Sequence, residues 1–296
     1  MTEITRLAPA KINLYLEITG RRPDGYHDIE SVMQTLTLAD ELTFTKHEPS
    51  GSSRITLTCS DPTLACDASN LCIRAANAFF AFCGIASYHV DIHVKKRIPV
   101  AAGLGGGSSD AAATLCALSE LYEAGLTEEK LCEIGVKLGA DVPFCIRQGI
   151  SVTRGIGEIF EPCAALPDCT VLLACTGEGV STPWAYRRLD EMYDFSTRKT
   201  DITHFRTLLS GGDLRQIAAG MTNIFESAVL PERTAAAALR QKIEDGGALR
   251  AMMSGSGPSV FGIFSEYDPA EKTAQELLKT GIPAHICNPF YPKAKK

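Results

Sequence analysis

Apolar and β-branched residues dominate positions 3–18 and 29–45, which predicts two long strands. The stretch between them, Gly20–His27, has turn chemistry: Pro23 presets one dihedral and Gly25 tolerates a positive one. Residues 54–59 and 88–98 read as further strands, and the run His89-Val-Asp-Ile-His-Val94 alternates polar and apolar as a half-buried strand does. The period then changes. Helices are predicted over 70–82, ending before Gly84, over the Ala-rich 108–124, closed by Gly125, and over 128–138. Thr127 is placed to cap the last of these, with Glu128 and Glu129 in its favourable first turn and Gly139 after its end. The second half gives strands at 149–153, 158–162, 170–175, 249–253 and 259–265, and helices at 183–192, 213–220, 231–245 and 269–280. Pro231 and Pro269 fall where a first helical turn accepts proline.

This order is not a clean alternation of strand and helix, so the expected class is α+β with largely antiparallel sheets. The 296 residues are comfortable for two domains, expected at 1–155 and 156–296. The polar stretch Asp190–Thr203 is the candidate mobile connection, and Lys293–Lys296 reads as a frayed basic tail.

Composition narrows the function. With 45% hydrophobic and 22% charged residues the chain can build a core without staples, and a net charge of -6 argues against a nucleic-acid surface. An acidic protein can still hold an anion in a locally positive site. The eleven cysteines form no C-x-x-C pair and lie mostly in apolar runs, as at Cys116, Cys132, Cys145 and Cys175. Neither zinc nor a disulfide framework is expected of them. No leader-like N-terminus and no run of about 18 apolar residues is present, so the expectation is a cytoplasmic protein with no membrane span.

The sharpest chemical feature is Ile98-Pro-Val-Ala-Ala-Gly-Leu-Gly-Gly-Gly-Ser-Ser-Asp110. A strand runs into glycines, and the glycines run into a helix. Glycines let backbone approach a ligand closely, and the helix start offers N–H groups and the positive end of a dipole. Together these suit a phosphate. Ser108 and Ser109 add hydroxyls for phosphate or Mg²⁺. No Gly-Lys-Ser/Thr follows, so this is not a Walker A loop. A dinucleotide fingerprint fails because Ser108 stands at its third glycine position. The Lys11 side chain lies in an otherwise apolar strand, where burying it is costly unless it is paired; alternation alone also permits it to face outward. Asn13, two residues on, shares its face.

Three blocks resemble the GHMP family of small-molecule kinases, which includes galactokinase, homoserine kinase, mevalonate kinase and phosphomevalonate kinase. They are Pro9-Ala-Lys-Ile-Asn-Leu14, the glycine–serine loop, and Met253-Ser-Gly-Ser-Gly-Pro-Ser-Val-Phe-Gly262. They occur in the family's order and span nearly the whole chain. The resemblance implies two α+β domains with the active site in the cleft between them, and transfer of phosphate from ATP, with Mg²⁺, to a small-molecule hydroxyl. On this basis Pro99, Val100, Ala101, Ala102, Gly103, Leu104, Gly105, Gly106, Gly107, Ser108 and Ser109 are expected to hold ATP. Asp141, in Gly139-Ala-Asp-Val-Pro-Phe144, is expected to be the base that takes the hydroxyl proton. An ammonium at Lys11 would keep such a carboxylate ionised and steady the charge that develops on the hydroxyl oxygen.

The extended match over residues 8–36, with Gly20-Arg-Arg-Pro-Asp-Gly-Tyr-His27 inside it, narrows the expected acceptor to a cytidine diphosphate-linked polyol. Asn13 is expected to orient its hydroxyl or Asp141. Tyr26 would stack on the base and His27 read its edge. Thr182 and Tyr186 match the family's second-domain segment, with Tyr186 on the other side of the cytosine. The turn Ser254–Pro258 is a weak signal alone; in family context it is expected to buttress the phosphate loop or the substrate diphosphate. A kinase of the same family acting on mevalonate, homoserine or a sugar is the main alternative, and a non-catalytic nucleotide-binding protein is a further one.

Overall fold

The computed structural model describes residues 2–48, 51–177, 179–196 and 201–292. Along the chain run β1 (Glu3–Arg21), β2 (His27–His47), β3 (Arg54–Cys59), α1 (Leu71–Cys83), β4 (His89–Lys95), α2 (Gly106–Leu121), α3 (Glu128–Val136), α4 (Val142–Arg147), β5 (Ile150–Gly155), β6 (Ile159–Glu161) and β7 (Thr170–Ala174). There follow α5 (Thr182–Met192), α6 (Ile202–Gly211), α7 (Leu214–Gly220), β8 (Thr222–Asn223), α8 (Phe225–Val229), α9 (Thr234–Asp245), β9 (Arg250–Met253), β10 (Val260–Phe264), α10 (Tyr267–Lys279) and β11 (Ala284–Cys287). The mixture and the mostly antiparallel pairing agree with the α+β expectation, while β3 with β4 and β1 with β8 pair in parallel.

Contacts divide the chain into two compact units, neither continuous in sequence. The first comprises 1–10, 39–100 and 105–147; the second comprises 11–38, 101–104 and 148–296. The strands β1 and β2 and the glycine loop therefore each pass from one unit into the other.

In the first unit, β4 pairs antiparallel with the end of β2 and parallel with β3. The alternation seen in sequence sets the faces: Val90, Ile92 and Val94 are buried, while His89, Asp91 and His93 face the other way. The buried face packs Phe44, Phe79, Phe80, Leu115, Leu118 and Ile134 into one core roofed by α1 to α4. Asn70 caps α1, accepting from the N–H of Cys72, and Gly84 closes it in the left-handed conformation. Thr127 caps α3 as expected.

In the second unit, β5 pairs with the start of β2 and with β6, and β8 extends β1. A separate four-stranded sheet, ordered β11-β7-β10-β9, is covered by α9 and α10, whose Leu239, Ile243 and Leu277 bury against Leu172 and Val260. The segment after β11 bonds back to β2 through Phe290 to Thr35 and through the Gln34 amide.

Several element limits differ from the sequence reading. The strand expected to reach residue 98 stops at Lys95, because the buried Asp40 carboxylate takes the N–H groups of Arg97 and Ile98 away from any ladder. Helix α2 starts two residues early, with Gly106 and Gly107, and ends at Leu121 rather than at 124. Glu123, not Gly125, is the first residue to turn left-handed there, with φ 52°. Pro231 lies in the turn between α8 and α9 rather than in a first helical turn, while Pro269 is in the first turn of α10 as expected. The polar stretch 190–203 begins inside α5 and ends inside α6, and positions 197–200 lie outside the described residues, as does the Lys293–Lys296 tail. Among the described residues no helix is long and apolar enough to cross a membrane, and all eleven cysteines are free thiols.

Candidate active site

The glycine loop leaves β4, and its exposed Val100 and Ala101 give way to buried Ala102 and Leu104. Gly105 is the N-cap of α2, in the left-handed conformation at φ 69°, and no side chain caps this helix. Ser109 N–H already bonds Gly105 O at 2.8 Å, so the first N–H groups, from Gly106 through Ser108, are the ones left for a ligand. The Ser109 hydroxyl is buried and finds no hydrogen-bond partner among the described residues. A Cβ on Gly106 would press on Ile98 and Lys96, and one on Gly139 would come within 3.8 Å of the Ser108 hydroxyl. The turn that carries Asp141 is thus brought beside the serines of the loop, within the same unit. Asp141 is half-buried, and its carbonyl accepts from Cys145 N–H at 3.1 Å to start α4.

Behind this helix start is a buried ion cluster that the sequence reading missed. Lys96 Nζ donates to Asp40 at 2.5 Å and to Asp110 at 2.8 Å, and Asp40 is fully buried. Lys96 thereby ties the strand end that feeds the loop to Asp110, just past the first turn of α2. Burial works against the Lys96 charge, but the two carboxylates outweigh it and hold its pKa raised. Burial pushes the Asp110 carboxyl up to about 7; Lys96 pulls it down and Asp40 pushes it up further. Because the folded state then binds a proton more tightly than the unfolded chain, Asp110 contributes stability that is fully present below its ordinary value of 3.8 and is lost as pH rises through about 7. In Asp110→Asn this contribution is expected to vanish, so the denaturant midpoint of the variant should fall less than that of the wild type between those pH values. Parallel pH profiles for the two proteins would remove Asp110 as the source. The only signal in the sequence was an Asp one residue past the serines.

In the second unit Lys11 and Asn13 are buried, at 5% and 1% exposure, which settles the face that alternation left open. Lys11 Nζ donates to Asn13 Oδ1 at 2.9 Å, and Asn13 donates to Ser31 Oγ at 2.8 Å. Lys11 N–H bonds Leu104 O, anchoring the loop to β1 at 2.9 Å. The turn 254–258 meets the loop from the other side. Ser254 Oγ donates to Gly103 O at 3.0 Å, Ser259 N–H bonds Ala102 O at 3.3 Å, and a Cβ on Gly255 would lie 3.6 Å from Lys11 Nζ. Asn223, which the sequence reading also missed, is buried beside this turn and donates to Met253 O and Gly255 O.

A third group surrounds the 20–27 turn. Asp24 bonds Tyr26 N–H, and the Tyr26 ring is exposed. His27 is buried: its Nε2 is 2.7 Å from Asp190, its ring stacks on Tyr186 at 4.7 Å, and Phe195 meets its edge. One face of Tyr186 is therefore taken by His27. Both Tyr186 and Asp190 come from α5, one turn apart, so a single helix fixes the His27 ring. A cavity of about 410 Å³ opens beside Asp190, lined by Thr19, Gly20, Tyr193 and Phe195. Thr182, at the start of α5, bonds Ser256 at 2.8 Å, tying this helix to the turn that braces the loop.

Comparison with known proteins bears on what such an arrangement is. Residues 70–149 match the model of the GHMP kinases N terminal domain, and residues 205–282 that of the GHMP kinases C terminal region. The chain belongs to the GHMP kinase family. The chain is 42% identical over 94% of its length to 4-diphosphocytidyl-2-C-methyl-D-erythritol kinase of Synechococcus sp. (strain JA-2-3B'a(2-13)), covering 91% of that protein. Against the protein of the same name from Microcystis aeruginosa it is 41% identical, over 94% of each chain. The crystal structure of a 4-(cytidine 5'-diphospho)-2C-methyl-D-erythritol kinase superposes with a TM-score of 0.80 at 33% identity, covering 98% of this chain and all of that one.

Proposed function

We propose that the protein is an ATP-dependent kinase that phosphorylates the 2-hydroxyl of 4-diphosphocytidyl-2-C-methyl-D-erythritol, a step of non-mevalonate isoprenoid precursor synthesis, in the cytoplasm. The observation that carries the reading is likeness to kinases of that name at about 40% identity along 94% of the chain. The local geometry supports it. An uncapped helix start behind a glycine loop suits the phosphates of ATP. The residues also fit Mg²⁺, since the orphaned Ser109 hydroxyl and the half-buried Ser108 hydroxyl are hard oxygen donors beside that helix start. When bound, Mg²⁺ supplies charge neutralisation for the phosphates.

In this reading residues 1–155 form the ATP-binding domain and 156–296 the domain that contributes to acceptor binding. Pro99–Ser109 positions the triphosphate. Asp141 accepts the hydroxyl proton as the oxygen attacks phosphorus, and Lys11, oriented by Asn13, steadies the charge on that oxygen. Tyr26 supplies an exposed aromatic face for the cytosine, while His27, Tyr186 and Thr182 shape its surroundings. An acceptor without a nucleobase leaves this aromatic group without a partner. Release of ADP is expected with the cytidyl substrate and not with mevalonate, homoserine or galactose under the same conditions. No turnover of the cytidyl substrate, or faster turnover of one of the others, would sink the assignment.

A further inference from the structure

Three of the six histidines, His47, His89 and His93, stand on the outward face of the first unit's sheet, opposite the face that buries Phe44, Val90 and Ile92. Register places His47 directly across from His89 on the neighbouring strand, and Asp91 follows His89 by two residues, on the same face. Their rings and carboxylate converge. His47 Nε2 is 2.8 Å from one oxygen of Asp91 and His89 Nε2 is 3.8 Å from the other, while the two imidazoles lie 4.6 Å apart between centroids. All three ligand atoms fall within 4.8 Å of one another. His93, by contrast, is engaged by Thr58 at 2.9 Å.

We infer that His47, His89 and Asp91 form a binding site for a divalent transition metal of the zinc type, separate from the phosphate loop and its Mg²⁺. Two imidazole nitrogens and one carboxylate oxygen are the donor set such ions take, whereas Mg²⁺ prefers oxygen alone. Tetrahedral bonds of about 2.0–2.2 Å require ligand atoms roughly 3.4 Å apart, so closing the cluster takes a movement of about 1 Å by side chains that are only half-buried. The backbone framework is already fixed, because the donors come from two paired strands rather than from a loop. The nearby cations leave the centre accessible. Lys46 projects away, its Nζ 4.6 Å from the Tyr122 ring, and Arg54, the register partner of His89 on β3, is exposed to water. The Asp91 carboxylate gives the site a negative charge to meet a dication. A bound ion would cross-link the end of β2 to the start of β4.

The test is titration of Zn²⁺ into the full-length protein under reducing, phosphate-free conditions, read by calorimetry and by thermal melting. One equivalent is expected to bind and to raise the melting temperature, with affinity falling roughly tenfold or more in His89→Ala and in Asp91→Asn. Cys66→Ser removes the exposed cysteine and is expected to change nothing. Co²⁺ in place of Zn²⁺ is expected to show visible absorption without a thiolate charge-transfer band. Both variants replace partly exposed side chains, and far-UV circular dichroism together with Mg²⁺-dependent turnover shows whether they remain folded. Absence of saturable Zn²⁺ binding, binding that survives both variants, or a thiolate band lost in Cys66→Ser would overturn the site and leave a hydrogen-bonded histidine–aspartate cluster. Failure here leaves the kinase reading untouched, since the ADP-release assay does not involve these residues.

Discussion

Asp141→Asn is expected to lower turnover by roughly 10²-fold or more, the scale of lost general base catalysis, while the affinity for ATP stays near that of the wild type. The main-chain carbonyl of Asp141 starts α4 by accepting from Cys145 N–H, and that bond does not depend on the side chain. Val142, Pro143 and Phe144 behind it are buried, so the turn is held by packing. Asparagine has the same shape and can still accept a hydrogen bond, but it cannot take a proton. If the carboxylate is the proton acceptor, chemistry slows and nucleotide binding does not, which separates kcat from the KM for ATP. Asp141→Glu restores a carboxylate at a displaced position and is expected to recover part of the rate. Turnover of Asp141→Asn within a few-fold of wild type would take Asp141 out of the mechanism.

How much of this was legible in sequence depends on the range of the interaction. Long strands rich in apolar and β-branched residues, the alternation of β4, the helix capped by Thr127 and the glycine loop declare themselves within a few residues, and each is found where local chemistry put it. The Lys11 face could not be read that way, because alternation allows both directions; burial against Asn13 and Ser31 decides it. Asp40, Lys96 and Asp110 are spread over seventy positions and meet only through the fold, and the same bonds explain why the strand leading to the loop stops short. Asn223 and Asp190 were silent for a related reason. A lone polar residue carries no pattern, yet one braces the 254–258 turn and the other fixes the His27 ring. The short α4 and α8 and the two-residue β8 escaped because they fall below the length at which periodicity speaks.

The second large effect is expected at Gly103, where Gly103→Ala should weaken ATP binding by roughly tenfold or more, the equivalent of the 1–3 kcal/mol that a strained backbone position costs. Gly103 has φ +76°, a region L-residues avoid, and an added Cβ would lie 2.1 Å from the carbonyl oxygen of Ser254 and 3.2 Å from the nitrogen and oxygen of Gly257. All three are backbone atoms, so no rotamer change relieves the clash; either the 254–258 turn or the loop must move. Asn223 holds the turn from behind, which directs the movement into the loop. Moving the loop breaks the bonds from Ser254 Oγ to Gly103 O and from Lys11 N–H to Leu104 O, and it shifts Gly105, from which α2 starts. Gly281→Ala is the control. Its φ of +81° carries the same intrinsic penalty, but nothing lies within 4 Å of its Cβ. It is expected to cost about 1 kcal/mol of stability and leave catalysis unchanged. The contrast isolates the collision with Ser254 from the left-handed conformation itself. If Gly103→Ala raised the KM for ATP no more than Gly281→Ala does, close contact between the loop and the 254–258 turn would not be what shapes the phosphate site.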